Sequence, residues 1–204
     1  MTIRHLLLDA DGVLQSVPGG WVAAVETFVG DGALEFLEQT WSDELPALRG
    51  EGDFLAEFTR AVERRGIDVD PGEFYRGVWN AIEVAPESVD LVYRLRAAGY
   101  GVHLGTNQER RRAAYMRTVL GYDDLFDVSC YSCDLGAVKP ERAYFERALD
   151  RIGAPADHVL FIDDHAPNVA GARSAGLVAE QWDLSQGMPV LWSLLAAHGI
   201  DAER

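Results

Sequence analysis

Lysine is almost absent from this chain. Lys139 is the only one, and the other 17 of the 18 basic residues are arginine. Basic side chains as a class are also scarce: 33 acidic residues oppose them, for a net charge of −15. That balance excludes DNA, RNA and anionic membranes as principal partners, because phosphate backbones and anionic headgroups select basic surfaces. A small phosphorylated ligand survives, since exposed charges beyond about 10 Å are screened and a local site can oppose the global sign. Cysteine is limited to Cys130 and Cys133, too few for a disulfide scaffold. Their C-x-x-C spacing raises redox or metal roles. A zinc site would need about two more ligands, and no matching Cys/His pair exists. Phe126–Tyr131 reads as a strand, in which positions i and i+3 face opposite ways, so reduced thiols are expected. Long hydrophobic runs are missing too. Nothing approaches the ~18 apolar residues of a membrane span, and Leu6-Leu7-Leu8 stops at Asp9, too short for an export signal. A cytoplasmic location is the expectation.

A chain of 204 residues suits one domain, or one core domain carrying a smaller insert. The apolar run Ile3–Leu8 predicts a buried strand that ends in Asp9-Ala10-Asp11-Gly12. From Tyr100 onward, strand-like and helix-like segments alternate. Strands are expected at Tyr100–Leu104, Phe126–Tyr131, His158–Ile162 and Leu177–Gln181. Helices are expected at Gln108–Leu120, Pro140–Arg151, Pro167–Ala175 and Pro189–His198, with Pro140 at a first helical position. This rhythm predicts an α/β fold with a mostly parallel, Rossmann-like sheet between two helical layers.

The stretch from Gln15 to Ala85 breaks the rhythm and shows no good strand. Apolar residues recur there at helical spacing: Trp21, Val22, Val25, Phe28 and Val29; Phe54, Leu55, Phe58, Ala61 and Val62; Phe74, Tyr75, Val78, Trp79 and Ile82. With Leu34–Trp41 they predict four helices, an inserted α-helical cap over residues 15–85. The α/β core then comprises 1–14 and 86–204. The flanks Gln15–Gly20 and Val84–Pro86 are the expected hinges.

In an open parallel sheet, ligands bind at the carboxyl ends of the strands. The polar residues there are Asp9 and Asp11, then Thr106 and Asn107, then Lys139 before a helix, then Asp163 and Asp164. Four carboxylates at neighbouring strand ends repel one another, so either some hold protons or a cation sits among them. An all-oxygen set favours a hard ion, Mg²⁺ before Zn²⁺. The compact ammonium of Lys139 suits a phosphate oxygen or a carboxylate neighbour. Thr106 and Asn107 offer a hydroxyl and backbone N–H groups at a helix start, either a phosphate seat or an ordinary cap.

Taken in order, Asp9-Ala10-Asp11-Gly12-Val13-Leu14, Leu104-Gly105-Thr106-Asn107, Lys139-Pro140 and Phe161-Ile162-Asp163-Asp164 resemble the four motifs of the haloacid dehalogenase-like hydrolase superfamily. The resemblance covers about Met1–Leu14 and Ala85–Asp183, and the helical insert matches the place and type of that family's C1 cap. It implies a Mg²⁺-dependent phosphatase acting on a small phosphorylated metabolite; a monomer and a homodimer are both open. Asp9 would be the nucleophile that forms an aspartyl-phosphate. Asp11 would act as general acid and then base, which requires it to be protonated part of the time, as neighbouring carboxylates encourage. The Asp9 carboxylate, the Asp11 backbone carbonyl and the Asp163-Asp164 pair would hold Mg²⁺, with Asp164 as the favoured direct ligand. Thr106, the Asn107 backbone and Lys139 would neutralise the phosphoryl oxygens. Resembling dehalogenases lack an acid two residues after the nucleophile. Asp11 therefore favours phosphoryl transfer over carbon–halogen cleavage. A phosphomutase with the same phosphoenzyme and a phosphoacceptor or phosphate-binding module are the alternatives. His165 and Arg49 are each read either as substrate contacts or as ordinary polar surface.

Overall fold

The computed structural model describes residues 2–201. Strand β1 spans His5–Leu8, and the ribbon strands β2 and β3 span Gln15–Ser16 and Glu83–Val84. The remaining strands are β4 (Gly101–Thr106), β5 (Val128–Tyr131), β6 (Val159–Asp163) and β7 (Val178–Gln181). Five of them form one parallel sheet in the order β5-β4-β1-β6-β7. The α/β, Rossmann-like expectation is met. β1 is central, with Leu7 in register with His103 on one side and Phe161 on the other.

Both faces of the sheet are covered, which is why β1 and β6 are continuously apolar rather than alternating. Leu6, Leu8, Leu104, Leu160 and Ile162 pack into one layer, while Leu7, Cys130, Val159 and Phe161 pack into the other. Helices α1 (Trp21–Val29), α2 (Ala33–Leu48), α3 (Phe54–Arg64) and α4 (Pro71–Val78) lie between β2 and β3. They close around their own aromatic cluster of Phe36, Phe54, Phe58, Phe74 and Trp79. The sheet helices are α5 (Pro86–Ala97), α6 (Arg110–Thr118), α9 (Arg142–Ile152), α10 (Ala166–Ser174) and α11 (Met188–Ala197). Single turns α7 (Tyr122–Leu125) and α8 (Ser132–Leu135) flank β5.

Several boundaries differ from the sequence reading. The flanks of the insert are not free linkers: Gln15 pairs with Val84 and Ser16 with Glu83 in an antiparallel ribbon. Helix α2 runs on to Leu48 with Pro46 inside it. Helix α5 is an element the sequence reading missed. Pro140 lies in the turn before α9, after a cis Lys139–Pro140 peptide, rather than at its first helical position. Cys130 ends up in β5 and Cys133 in the turn after it. Both are free, and burial pushes their thiols up to about 12 and about 11. Among the described residues no helix is long and apolar enough to cross a membrane.

Candidate active site

The strand ends bring the singled-out residues to one cleft. It has a volume of about 490 Å³ and is lined by Asp9, Asp11, Thr106, Asn107, Lys139, Asp164 and His165 from the core. Asp9 follows the central strand, its backbone N–H bonded to the Ile162 carbonyl at 2.9 Å. The chain then turns sharply at Gly12, where φ is +78°. A Cβ at that position would lie 2.5 Å from Asp164 Oδ2, so only glycine lets the two acidic loops approach.

Lys139 is buried between two of the carboxylates. Its Nζ lies 2.8 Å from Asp9 Oδ1 and 2.6 Å from Asp163 Oδ2. Asp163 is fully engaged: it also accepts from the His165 N–H at 2.8 Å and from Asn168 Nδ2 at 3.0 and 3.1 Å. Burial raises its proton affinity, but Lys139 and these donors outweigh that and hold it below the usual carboxylate range. Asp9 goes the other way. Burial, then the charge of Asp163, raise its carboxyl well above that range despite Lys139. Asp164 is also raised, by burial and by Asp163. Each of Asp9, Asp163 and Asp164 offers a carboxylate oxygen, and these oxygens lie within 4.8 Å of one another. Three carboxylates against one ammonium leave two negative charges in excess. The donor set is all oxygen, and both facts fit a hard divalent cation.

Thr106 ends β4, and its Oγ1 accepts from Gln108 Nε2 at 3.0 Å. Helix α6 starts later than the sequence suggests, with Glu109 as its cap, so Thr106 is the last strand residue and Asn107 sits in the loop between strand and helix. The Asn107 side chain brackets the Lys139 backbone, donating to its carbonyl at 3.0 Å and accepting from its N–H at 2.9 Å. That clasp fixes the loop carrying the only lysine.

Asp11 contradicts the expectation that neighbouring carboxylates keep it partly protonated. Its two oxygens meet four N–H donors: Arg112 Nη2 at 2.8 Å and Gln15 Nε2 at 3.0 Å on Oδ1, Arg112 Nη1 at 2.6 Å and Gln108 Nε2 at 2.9 Å on Oδ2. Third partners fix both amides. Gln15 Oε1 accepts from Tyr122 and Gln108 Oε1 accepts from Arg112, each at 2.8 Å. Burial alone would raise the acid, but Arg112 and these donors bring it down to about 2.

A family model described as haloacid dehalogenase-like hydrolase matches residues 3–176. The chain belongs to the haloacid dehalogenase-like hydrolase family. Among its relatives, "Phosphatase MT3486" of Mycobacterium tuberculosis is 28% identical, with 91% of this chain and 89% of that protein covered. A phosphoglycolate phosphatase of Yersinia pestis is 25% identical over 85% of this chain and 78% of its own length. Among solved structures, the haloacid dehalogenase-like enzyme bt-2542 of Bacteroides thetaiotaomicron superposes with a TM-score of 0.78 at 20% identity, covering 94% of this chain and 99% of that one. It has also been solved as a magnesium complex.

Two site residues of this family member escaped sequence reasoning. Arg112 is buried, and besides Asp11 it donates from Nε to the Trp79 carbonyl at 2.5 Å and lies 5.1 Å from the Trp21 ring centre. Glu44, on α2, is buried in the cleft wall, and burial and Glu109 raise its carboxyl to about 8. The signal for Arg112 was present in Arg110-Arg111-Arg112, three consecutive cations in an acidic chain. All of that strip grips the helical insert: Glu109 accepts from Tyr75, Arg110 donates to Gly50, and Arg111 donates to Asp53. Arg49 is outside the cleft lining and forms an ion pair with Glu141, which precedes α9. His165 does line the cleft, on an exposed turn.

Proposed function

We propose that this protein is a Mg²⁺-dependent phosphatase that hydrolyses a small phosphorylated metabolite through a phosphorylated Asp9. One observation carries the reading: Asp9, Asp163 and Asp164 converge with Lys139 as their single ammonium, leaving the charge deficit that a divalent cation and a phosphoryl group together require. The relatives named as phosphatases support it. We also read the chain as two domains, a core of 1–14 and 86–204 and a helical cap of 15–85. The aromatic cluster that α1–α4 share among themselves supports that division.

Mg²⁺ would be held by the Asp9 carboxylate, the Asp11 backbone carbonyl and the Asp163-Asp164 pair, with Asp164 the direct ligand because Asp163 is already committed to Lys139 and Asn168. Bound there, it would offset the charge that raises Asp9 and would help neutralise the phosphoryl oxygens. Asp9 attacks phosphorus, the bond to the ester oxygen breaks, and the alcohol leaves with a proton. Water then attacks the phosphoryl group of Asp9, the carboxylate is regenerated and inorganic phosphate departs. Lys139 and Thr106 position and neutralise the group being transferred. Asp11, ionised within its four donors, is ready to accept the proton of water. To serve as acid in the first step, its side chain must leave Arg112, take up a proton from solvent and turn toward the ester oxygen, to which that proton then passes.

The test is phosphate release from p-nitrophenyl phosphate and a panel of metabolite esters, with Mg²⁺ or with EDTA. Turnover that needs Mg²⁺ and disappears in Asp9→Asn is expected. Release of halide from a 2-haloacid without metal, and of phosphate from nothing, would replace this reading with a dehalogenase.

A further inference from the structure

The alcohol half of the ester must lie under the helical insert, whose contribution to the cleft is Trp21, Trp41, Glu44, Leu48 and Trp79. Charge narrows what that half can be. The Lys and Arg residues lining the cleft are Arg112 and Lys139. Lys139 is committed to Asp9 and Asp163, and Arg112 to Asp11, Gln108 and the Trp79 carbonyl. No lysine or arginine of the lining is left for a second anionic group. The imidazole of His165 belongs to the floor, one residue past Asp164. A cationic alcohol fares no better. The position facing Trp21 and Glu44 is already taken by the Arg112 guanidinium, 5.1 Å from the Trp21 ring centre and within the electrostatic reach of Glu44.

What the insert does offer is flat apolar surface and a neutral hydrogen-bonding group. Trp41 is 41% exposed, unusual for tryptophan, and stands edge-on to Trp21 at 80° with ring centres 6.3 Å apart. Glu44 beside it is buried, and with its carboxyl raised to about 8 it is a carboxylic acid at neutral pH, able to donate to one hydroxyl and accept from another. An indole face stacks on a nucleobase. It equally covers the apolar C–H face of a sugar. We propose that the alcohol released is an uncharged, ring-bearing polyol, a sugar or a nucleoside, seated against Trp41 and hydrogen-bonded to Glu44. This rests on the phosphatase reading and adds the class of its substrate.

The experiment is calorimetric binding to the Asp9→Asn protein in Mg²⁺, which needs no turnover. The ligands are glucose 6-phosphate, uridine 5′-monophosphate, phosphoglycolate and phosphocholine. At least one ring ester is expected to bind 10-fold or more tighter than both phosphoglycolate and phosphocholine. Preference between the two ring esters tells nucleoside from sugar. Trp41→Ala should erase most of that margin and Trp41→Phe should restore part of it, whereas a merely structural defect would weaken all four ligands alike. Phosphoglycolate or phosphocholine binding as tightly as the ring esters would overturn the proposal. So would a uniform loss in Trp41→Ala, or no binding of any ester. Selective binding of a ring ester together with no phosphate release by the wild-type protein would remove the phosphatase reading and leave the pocket assignment standing.

Discussion

Removing Arg112 should destabilise this protein mainly through what it leaves behind. In Arg112→Met the methionine fills much of the same apolar volume, so packing is roughly conserved. The lost contacts are two hydrogen bonds to Asp11, one to Gln108 Oε1 and one to the Trp79 carbonyl. The Asp11 side chain is only 28% exposed and would keep its charge with just two amides to hold it. Breaking a buried pair from one side costs about 3–5 kcal/mol. The depression of Asp11 from 3.8 to about 2 gives a similar scale, roughly 2.5 kcal/mol of preference for the ionised form in the fold. That preference is present above the unfolded-state value and disappears as pH falls through about 2. For a chain of this size the loss corresponds to about 6–20 °C in Tm. Urea unfolding at pH 7 of the wild type, Arg112→Met, Asp11→Asn and the double variant isolates the pair. If stranded charge dominates, the double variant should lose about 2 kcal/mol less than the sum of the single losses. Losses that add to within about 0.5 kcal/mol would show that Arg112 acts by packing alone and would refute the reasoning.

Three further outcomes are expected. Burial, then the charge of His5, depress His103 to about 4, so the unfolded chain binds more protons than the fold between about 4 and 6.5. Stability should therefore be complete above about 6.5 and fall by up to about 3 kcal/mol as pH drops toward 4; a His103→Gln variant with the same slope in urea midpoint against pH would contradict this. Lys139→Met should abolish phosphate release and leave Asp9 and Asp163 facing each other without an ammonium, lowering Tm in metal-free buffer. Added Mg²⁺ should recover part of that Tm, and a metal-independent Tm would argue against the carboxylate cluster as a cation site. Gly50 has φ +78°, and a Cβ there would lie 2.3 Å from the Cys133 carbonyl. Gly50→Ala should therefore push the α2 turn off the core and lower both Tm and turnover, and a Tm and kinetics matching wild type would show that this contact does not matter.

The core was legible because its signals are local. The Leu6–Leu8 and Val159–Ile162 runs are apolar on both faces, as a doubly covered sheet demands, and their acidic ends mark where the sheet meets solvent. Boundaries moved where a cap or a proline could be placed in more than one way, as at Pro140 and at the start of α6. Helix α5 carries Leu91, Val92 and Leu95 at helical spacing, but its charged residues dilute the pattern. The residues that escaped notice depend on long-range pairing. Arg112 and Asp11 are 101 positions apart, and Arg49, though noticed, meets its unnoticed partner Glu141 across 92. Nothing in either segment announces its partner. The same remoteness hid the two-residue ribbon, since strands that short have no periodicity to detect.

That ribbon has an architectural consequence. Because Gln15–Ser16 and Glu83–Val84 lie side by side, the chain leaves the core and re-enters it through neighbouring strands, about 4.8 Å apart. Everything between them is, topologically, the loop of a hairpin. The points at which the chain leaves and rejoins the sheet layer therefore stay fixed whatever lies between them, and the four helices form one contiguous insertion. The floor of the cleft is thus written in several separated stretches of sequence, and its roof of Trp21, Trp41, Glu44, Leu48 and Trp79 in a single contiguous one.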